Sequence, residues 1–295
     1  MTIIGKKEAI PLVRILSDST CDLSRELVER YQLTILPLSV ILDEEAHVDG
    51  VDITPEDIYA WADARKATPK TASFSIAQAV DCMRPLLERG DELVCFAISE
   101  SMSASCQTMR LAAAELEAEE RVHVIDSQSL STGVGLLVVE AAVMAAEGRS
   151  ASEIVETVEA LRPKVRASFV VDTLVYLHRG GRCSGLAAMM GGALKLHPRI
   201  AVEEGKMLPG KKYRGRMEHV IGQYVQDMRD DLLAAKPDRV FITHSGCPRE
   251  QVEAVRAYLE GLGRFREIHE TRAGGVVSSH CGPGTLGVLF IDGRE

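Results

Sequence analysis

Five short stretches of this chain gather the side chains able to hold a ligand or move a proton. Three are rich in hydroxyls: Ser17-Asp-Ser-Thr-Cys-Asp22, Thr68-Pro-Lys-Thr71-Ala-Ser-Phe-Ser75 and Ser99-Glu-Ser-Met-Ser103. A fourth, Arg179-Gly-Gly-Arg182, joins with the later Arg214 and Arg216 to supply cations, and the fifth, from Gly274 to Gly284, crowds glycines around His280. Each has an ordinary alternative. Hydroxyls and carboxylates ahead of a helix cap its unpaired N–H groups. Capping accounts for Ser73 or Ser75, and equally for Ser103 before the helix through Leu111, but it leaves Thr71 over. Surface arginines are usually solvated and silent. A histidine in a flexible glycine-rich loop has less reason to be a packing residue.

Several familiar chemistries find no support. Gly282-Pro-Gly284-Thr-Leu-Gly287 spells G-x-G-x-x-G, but it leads into the strand-like Leu286-Gly-Val-Leu-Phe-Ile rather than a helix, so the dinucleotide reading fails. A Walker A sequence and a G-x-S-x-G nucleophile elbow are both missing, and with them the usual means of holding ATP or forming an acyl-enzyme. Eight histidines show neither H-x-x-x-H nor H-E-x-x-H spacing, and seven dispersed cysteines contain no C-x-x-C pair. Thiols rather than a disulfide framework or zinc ribbon are expected, and no metal site.

The loops lie at the ends of elements, where open α/β sheets bind their ligands. Strand-like runs at 13–16, 93–98 and 122–125 alternate with helical patterns, which predicts βαβ units and a parallel sheet. Thr54-Pro-Glu-Asp and Ser150-Ala-Ser-Glu153 mark helix starts. After Pro163 the rhythm changes: a strand at 167–171, a hairpin from 199 to 208 around Glu203-Glu-Gly-Lys, and one long amphipathic helix from Met217 to Leu232. Strand 240–243, helix 248–262 and strands 267–271 and 286–291 complete a second layer. The expected fold is α/β in two domains, 1–163 with a parallel sheet and 164–295 with a mixed or antiparallel sheet.

Bulk properties bound the partners. In 295 residues, 46% are hydrophobic and 26% charged, as in ordinary globular proteins. A net charge of -9 and a pI near 5.5 disfavour nucleic acid, whose binding rests on neutralising phosphates with Lys and Arg. The most apolar stretch, 133–146, carries Glu140 and is shorter than the ~20 residues of a membrane span; it reads as a buried helix. Met1 to Glu8 lacks the build of a signal peptide, which leads to a cytoplasmic expectation.

Taken in order, Ser17-Asp-Ser-Thr-Cys-Asp-Leu23, Pro69-Lys-Thr71, Ser99-Glu-Ser-Met-Ser103, Val124-Ile-Asp-Ser127, Tyr176-Leu-His-Arg-Gly-Gly-Arg182 and His280-Cys-Gly-Pro-Gly-Thr-Leu-Gly-Val288 resemble the DegV family, the fatty-acid-binding subunits of bacterial fatty acid kinase. The resemblance covers nearly the whole chain. It implies a DegV-like two-domain fold, an acyl chain buried inside one domain and its carboxylate at the interdomain cleft. Thr71, Ser103 and His280 match the family's carboxylate-binding residues, while Arg182 and one of Arg214 or Arg216 match arginines near the cleft mouth. The implied partner is a dihydroxyacetone-kinase-like subunit that brings ATP and Mg²⁺; no catalytic residue, metal or cofactor of the chain's own is implied. The sequence departs from the family at Ala72, at Ala104-Ser105 in place of Gly-Thr, and at Cys281. Ala104 removes easy access to positive φ, so this loop must take an ordinary backbone conformation or accept strain.

Each buried methylene is worth about 0.8 kcal/mol, so an acyl chain of roughly sixteen carbons contributes about 11 to 12 kcal/mol gross. Head-group hydrogen bonds then orient more than they hold. Two other functions fit the same residues: a lipid carrier or sensor without a kinase, and an acyl hydrolase with Ser103 as nucleophile, His280 as base and Asp18 or Asp126 as orienting acid.

Overall fold

The computed structural model describes residues 12–183 and 196–294, so the N-terminal segment judged above against a signal peptide lies outside the described residues. Through the first half the order is β1 (Val13–Asp18), α1 (Arg25–Arg30), β2 (Thr34–Leu36), β3 (Ser39–Leu42), β4 (Glu45–Val48), α2 (Pro55–Arg65), β5 (Lys70–Ala72), α3 (Ile76–Glu88), β6 (Glu92–Ala97), α4 (Ser105–Glu115), β7 (Val122–Asp126), α5 (Thr132–Ala146) and α6 (Ala151–Leu161). Thr54 with Asp57, Ser75 with Gln78 and Ser150 with Glu153 close capping boxes on α2, α3 and α6, so three helix starts are set by local chemistry. The parallel sheet runs β2-β1-β6-β7, and β4-β3-β5 form a small antiparallel sheet beside it.

The second half comprises β8 (Val165–Val170), α7 (Val175–Gly180), β9 (Leu196–Glu203), β10 (Lys206–Arg214), α8 (Met217–Asp227), α9 (Arg229–Ala234), β11 (Ala235–His244), α10 (Arg249–Gly261), β12 (Glu267–Arg272), α11 (Gly275–Cys281) and β13 (Leu286–Asp292). Its sheet, β10-β9-β8-β13-β11-β12, is antiparallel except between β11 and β12. The chain is therefore α/β, with one parallel and one mixed sheet besides the small antiparallel one. Glu204 and Gly205 both take positive φ at the β9–β10 turn, the conformation a two-residue hairpin loop demands.

Helix α5 explains its own composition. It is buried from Thr132 to Val139, between Ile15, Val94 and Phe96 of the parallel sheet and Val165, Ala167, Leu289 and Ile291 of the mixed one. A helix covered on both sides has no solvent face to make polar. Its one acid, Glu140, accepts from Lys236 Nζ at 2.8 Å and pairs with Arg239, tying the helix to β11. Among the described residues no helix is long and apolar enough to cross a membrane.

Two expectations are corrected. The long helix 217–232 is two helices meeting at Met228; the apolar face nevertheless persists through Val220, Ile221, Tyr224, Val225, Met228 and Leu232, because both pieces bury it against the same sheet. The glycine-rich stretch around His280 is not a flexible loop, since 275–281 form α11. Local propensity argues against a helix beginning at two glycines. Carboxylates from the other half of the chain supply its cap instead: Gly274 N–H donates to Asp22 at 2.8 Å and Gly275 N–H to Asp49 at 2.7 Å.

Candidate functional site

The loops gather at one cavity. Thr71 is the middle residue of β5, held by the antiparallel pairing Val40↔Thr71. Ser103 lies in the turn between β6 and α4. Its N-cap alternative does not hold, because Ala104 occupies the cap position, without a side-chain bond and at an unstrained φ of -82°. His280 is carried near the end of α11, and Arg182 follows α7, donating from Nη1 to Gly180 O at 2.7 Å. All four line a cavity of about 270 Å³, close to the lower end of ligand pockets at roughly 300 to 1,000 Å³.

Most of its wall is apolar: Ile98, Met102, Leu130, Phe169, Leu177, Met207, Val276, Val277 and Leu289 come from both halves of the chain. Hydroxyls elsewhere on the wall are already engaged. Ser131 donates to Asp22, Thr243 pairs with Thr132 and Thr271, Ser245 donates to Gly282 O, and Thr285 to Cys281 O. A polar cluster remains at Thr71, Ser103 and His280. There the His280 Nε2 meets Thr71 Oγ1 at 2.8 Å while its buried Nδ1 has no partner, and Ser103 Oγ meets Ser105 Oγ at 2.9 Å, with Ser73 Oγ a further 3.2 Å from Ser105. The hairpin tip seals one side: Ser99 Oγ donates to Gly205 O at 2.8 Å and Ser101 Oγ donates to the same carbonyl.

Burial, reinforced by the positive charge of Arg182, pushes His280 down to about 4, so its ring is neutral near pH 7 and offers one N–H and one lone pair. A base with a depressed folded value contributes stability that is fully present above its unfolded value of about 6.5 and is lost as pH falls toward 4. We therefore expect the stability of the protein relative to His280→Gln to fall by about 3 kcal/mol between pH 6.5 and 4. Urea unfolding of both proteins across that range measures the difference. Asp18 and Asp22, raised by burial to about 6 and about 8, act with the opposite sign but cancel between the two proteins. A flat difference would show that His280 titrates normally.

Two sets of expected residues fall elsewhere. Neither Arg214 nor Arg216 lines the cavity: Arg214 closes β10 in a polar groove with Lys211, Lys212, Gln223, Gln226 and Asp227, and Arg216 is the N-cap residue of α8. The hairpin reaches the cavity at Met207, and seven residues of strand at ~3.4 Å each carry Arg214 well over 15 Å further on. The hydrolase arrangement is not assembled either. Ser103 bonds Ser105 rather than His280, Asp18 holds Thr20 and the Ile98 N–H, and Asp126 holds the N–H groups of Glu100 and Gln128. Among the described residues no carboxylate orients the imidazole, whose Nδ1 stands unpartnered.

Sequence reasoning passed over Ser105 and the apolar lining; Ser105 follows Ser103 at a helix start, where it reads as capping. Among the described residues no cluster of His, Cys, Asp and Glu is arranged to hold a metal ion.

Residues 12–293 match the family model described as an uncharacterised protein of the DegV family. A DegV domain-containing protein of Deinococcus radiodurans is 32% identical over 278 residues, 94% of this chain and 98% of the relative. A solved DegV family protein of Thermus thermophilus, described as fatty acid binding, superposes with a TM-score of 0.86 at 31% identity, over 95% of this chain and 99% of that one. A stearic acid-binding protein of Eubacterium ventriosum gives 0.82 at 28% identity, over 96% and 99%. With its fold, its ordered motifs and its full-length match all in agreement, the chain belongs to the DegV family.

Proposed function

We propose that this protein binds a long-chain fatty acid, with the acyl chain in the apolar cavity and the carboxylate against Thr71, Ser103 and His280. The observation that carries the reading is the contrast within one cavity: a greasy wall drawn from both halves of the chain, and on it a polar cluster of Thr71, Ser103 and His280 in which the buried imidazole Nδ1 has no partner. The solved relatives described as binding fatty acid or stearic acid support it. A part-buried carboxylate needs donors and a nearby cation. The bond between Thr71 and His280 uses one of their two hydrogens, so the other, with the Ser103 hydroxyl, supplies the donors, and Arg182 on the cavity wall supplies the positive charge.

The carboxylate so held is presented to a dihydroxyacetone-kinase-like partner in the cytoplasm. One carboxylate oxygen attacks the γ-phosphorus of ATP bound by that partner with Mg²⁺, ADP leaves, and an acyl phosphate forms. This chain contributes position, and neither metal nor cofactor of its own. Arg182, and Arg214 in the groove beyond or Arg216 at the start of α8, present cations to the partner.

Mass spectrometry of organic extracts from the purified protein tests the ligand class. The expected result is close to one fatty acid per chain; protein that is empty, and that takes up no added fatty acid, would remove the proposal.

A further inference from the structure

The hydroxyl- and acid-rich segment after β1 does not line the cavity, although its types and spacing promised chemistry. Its polar side chains point into the protein: Ser17, Asp18, Thr20 and Asp22 are all buried. One of them, Asp22, reaches across to the start of α11, as does Asp49, which Ser19 of the same segment holds. Asp22 takes the Gly274 N–H on one oxygen at 2.8 Å and the Ser131 hydroxyl on the other at 2.5 Å. Asp49 takes the Gly275 N–H at 2.7 Å and the Ser19 hydroxyl at 2.7 Å, while Ser19 Oγ accepts from Leu38 N–H at 3.2 Å.

We infer that Asp49 and Asp22 are positioning residues for the head-group site, holding α11 at the register where His280 meets Thr71. The inference rests on the fatty-acid reading and adds to it the residues that fix the site's geometry. Helix α11 has seven residues, too few to persist on its own cooperativity, and no side-chain cap of its own. Its first N–H groups are satisfied by Asp22 and Asp49 from the other half of the chain. Glycine eases that approach: a Cβ on Gly275 would stand 2.9 Å from Asp49 Oδ1, too close without a shift, and one on Gly274 a tight 3.2 Å from Asp22 Oδ1. From Gly275 to His280 is five residues, roughly 7.5 Å of rigid helix at ~1.5 Å each, so a slide at the cap arrives undiminished at the imidazole. The Thr71–His280 contact of 2.8 Å does not survive a slide of much more than half an ångström along its axis.

Fatty acid and its methyl ester share a tail and differ only at the head, so the ratio of their dissociation constants reports head-group geometry while overall stability and tail packing cancel. Displacement of a fluorescent acyl probe from the full-length protein measures both. Asp49→Ala is expected to lower the preference for acid over ester about tenfold with ester affinity unchanged. Asp49→Asn, which still accepts from Gly275 N–H, restores most of it. An unchanged ratio, or equal weakening toward acid and ester, overturns the positioning role. If Asp49→Ala does not fold, Ser19→Ala keeps the carboxylate but removes the hydroxyl that aims it; a drop of about threefold supports the inference and no drop overturns it. Failure of the underlying reading shows separately, as a wild-type protein that binds neither ligand or does not prefer the acid.

Discussion

Ser103→Ala leaves the protein loaded with fatty acid and slows phosphorylation of that fatty acid by the kinase partner about a hundredfold. The asymmetry follows from where the energy lies. A tail of roughly sixteen carbons is worth about 11 to 12 kcal/mol gross, whereas one hydrogen bond among several is worth about 1 kcal/mol net, roughly fivefold in Kd. Rate depends on a different quantity. An oxygen placed about 1 Å from its line of attack costs on the order of a hundredfold, and Ser103 is the only one of the three head-group residues supplied by the β6–α4 turn. Lipid content by mass spectrometry and acyl-phosphate formation with the kinase added, measured on the same preparation, separate the two effects. Equal loss of both would mean that the serine holds the lipid rather than aims it.

How much of this was legible in sequence depended on whether the cause was local. The starts of α2 and α6 were readable because Thr54 with Asp57 and Ser150 with Glu153 lie three residues apart and complete their own bonds. The hairpin was readable for the same reason, its turn needing two residues at positive φ and having a glycine for one of them. By contrast, α11 was read as a loop because its cap comes from Asp22 and Asp49, more than two hundred residues away in the chain. No window of sequence around Gly274 contains that information. The short strands β3, β4 and β5 were missed for a related reason: three or four residues carry too little periodicity to stand out, and their pairing is tertiary.

The site divides along the same line. Thr71, Ser103 and His280 were singled out by residue type and by resemblance, and the fold places all three on one cavity. The apolar wall behind them was invisible, since Ile98, Leu130, Phe169 and Met207 each read as ordinary core residues. Only the closing of one half of the chain on the other makes them a wall. Arg214 lies outside the cavity for the opposite reason. Its type and charge suited a cleft mouth, but the strand it ends carries it away from the cavity, and strand length is a matter of geometry rather than of residue type.

The adjacent glycines of the Arg179-Gly-Gly-Arg182 stretch, read for their arginines alone, give the sharpest remaining test. Gly181 sits at φ +68°, where a side chain is strained, and a Cβ there would touch nothing. Gly181→Ala is therefore expected to cost about 1 kcal/mol of stability and leave the site intact. At Gly180 the reverse holds. Its φ is ordinary and α7 extends to it, so alanine suits the helix as well as glycine or better, by up to about 1 kcal/mol. Its Cβ, however, would stand 2.5 Å from His280 Nδ1, and the ring cannot retreat freely because Thr71 holds the opposite nitrogen at 2.8 Å. Gly180→Ala should keep the melting temperature within a degree or two, weaken fatty acid binding about tenfold while sparing the methyl ester, and reduce phosphorylation on the order of a hundredfold, as a displaced head group requires. Thermal melts, the acid-to-ester ratio and the kinase assay on this pair of single-methyl variants read stability and head-group geometry apart. A Gly180→Ala protein with the wild-type ratio would show that His280 plays no part in holding the carboxylate.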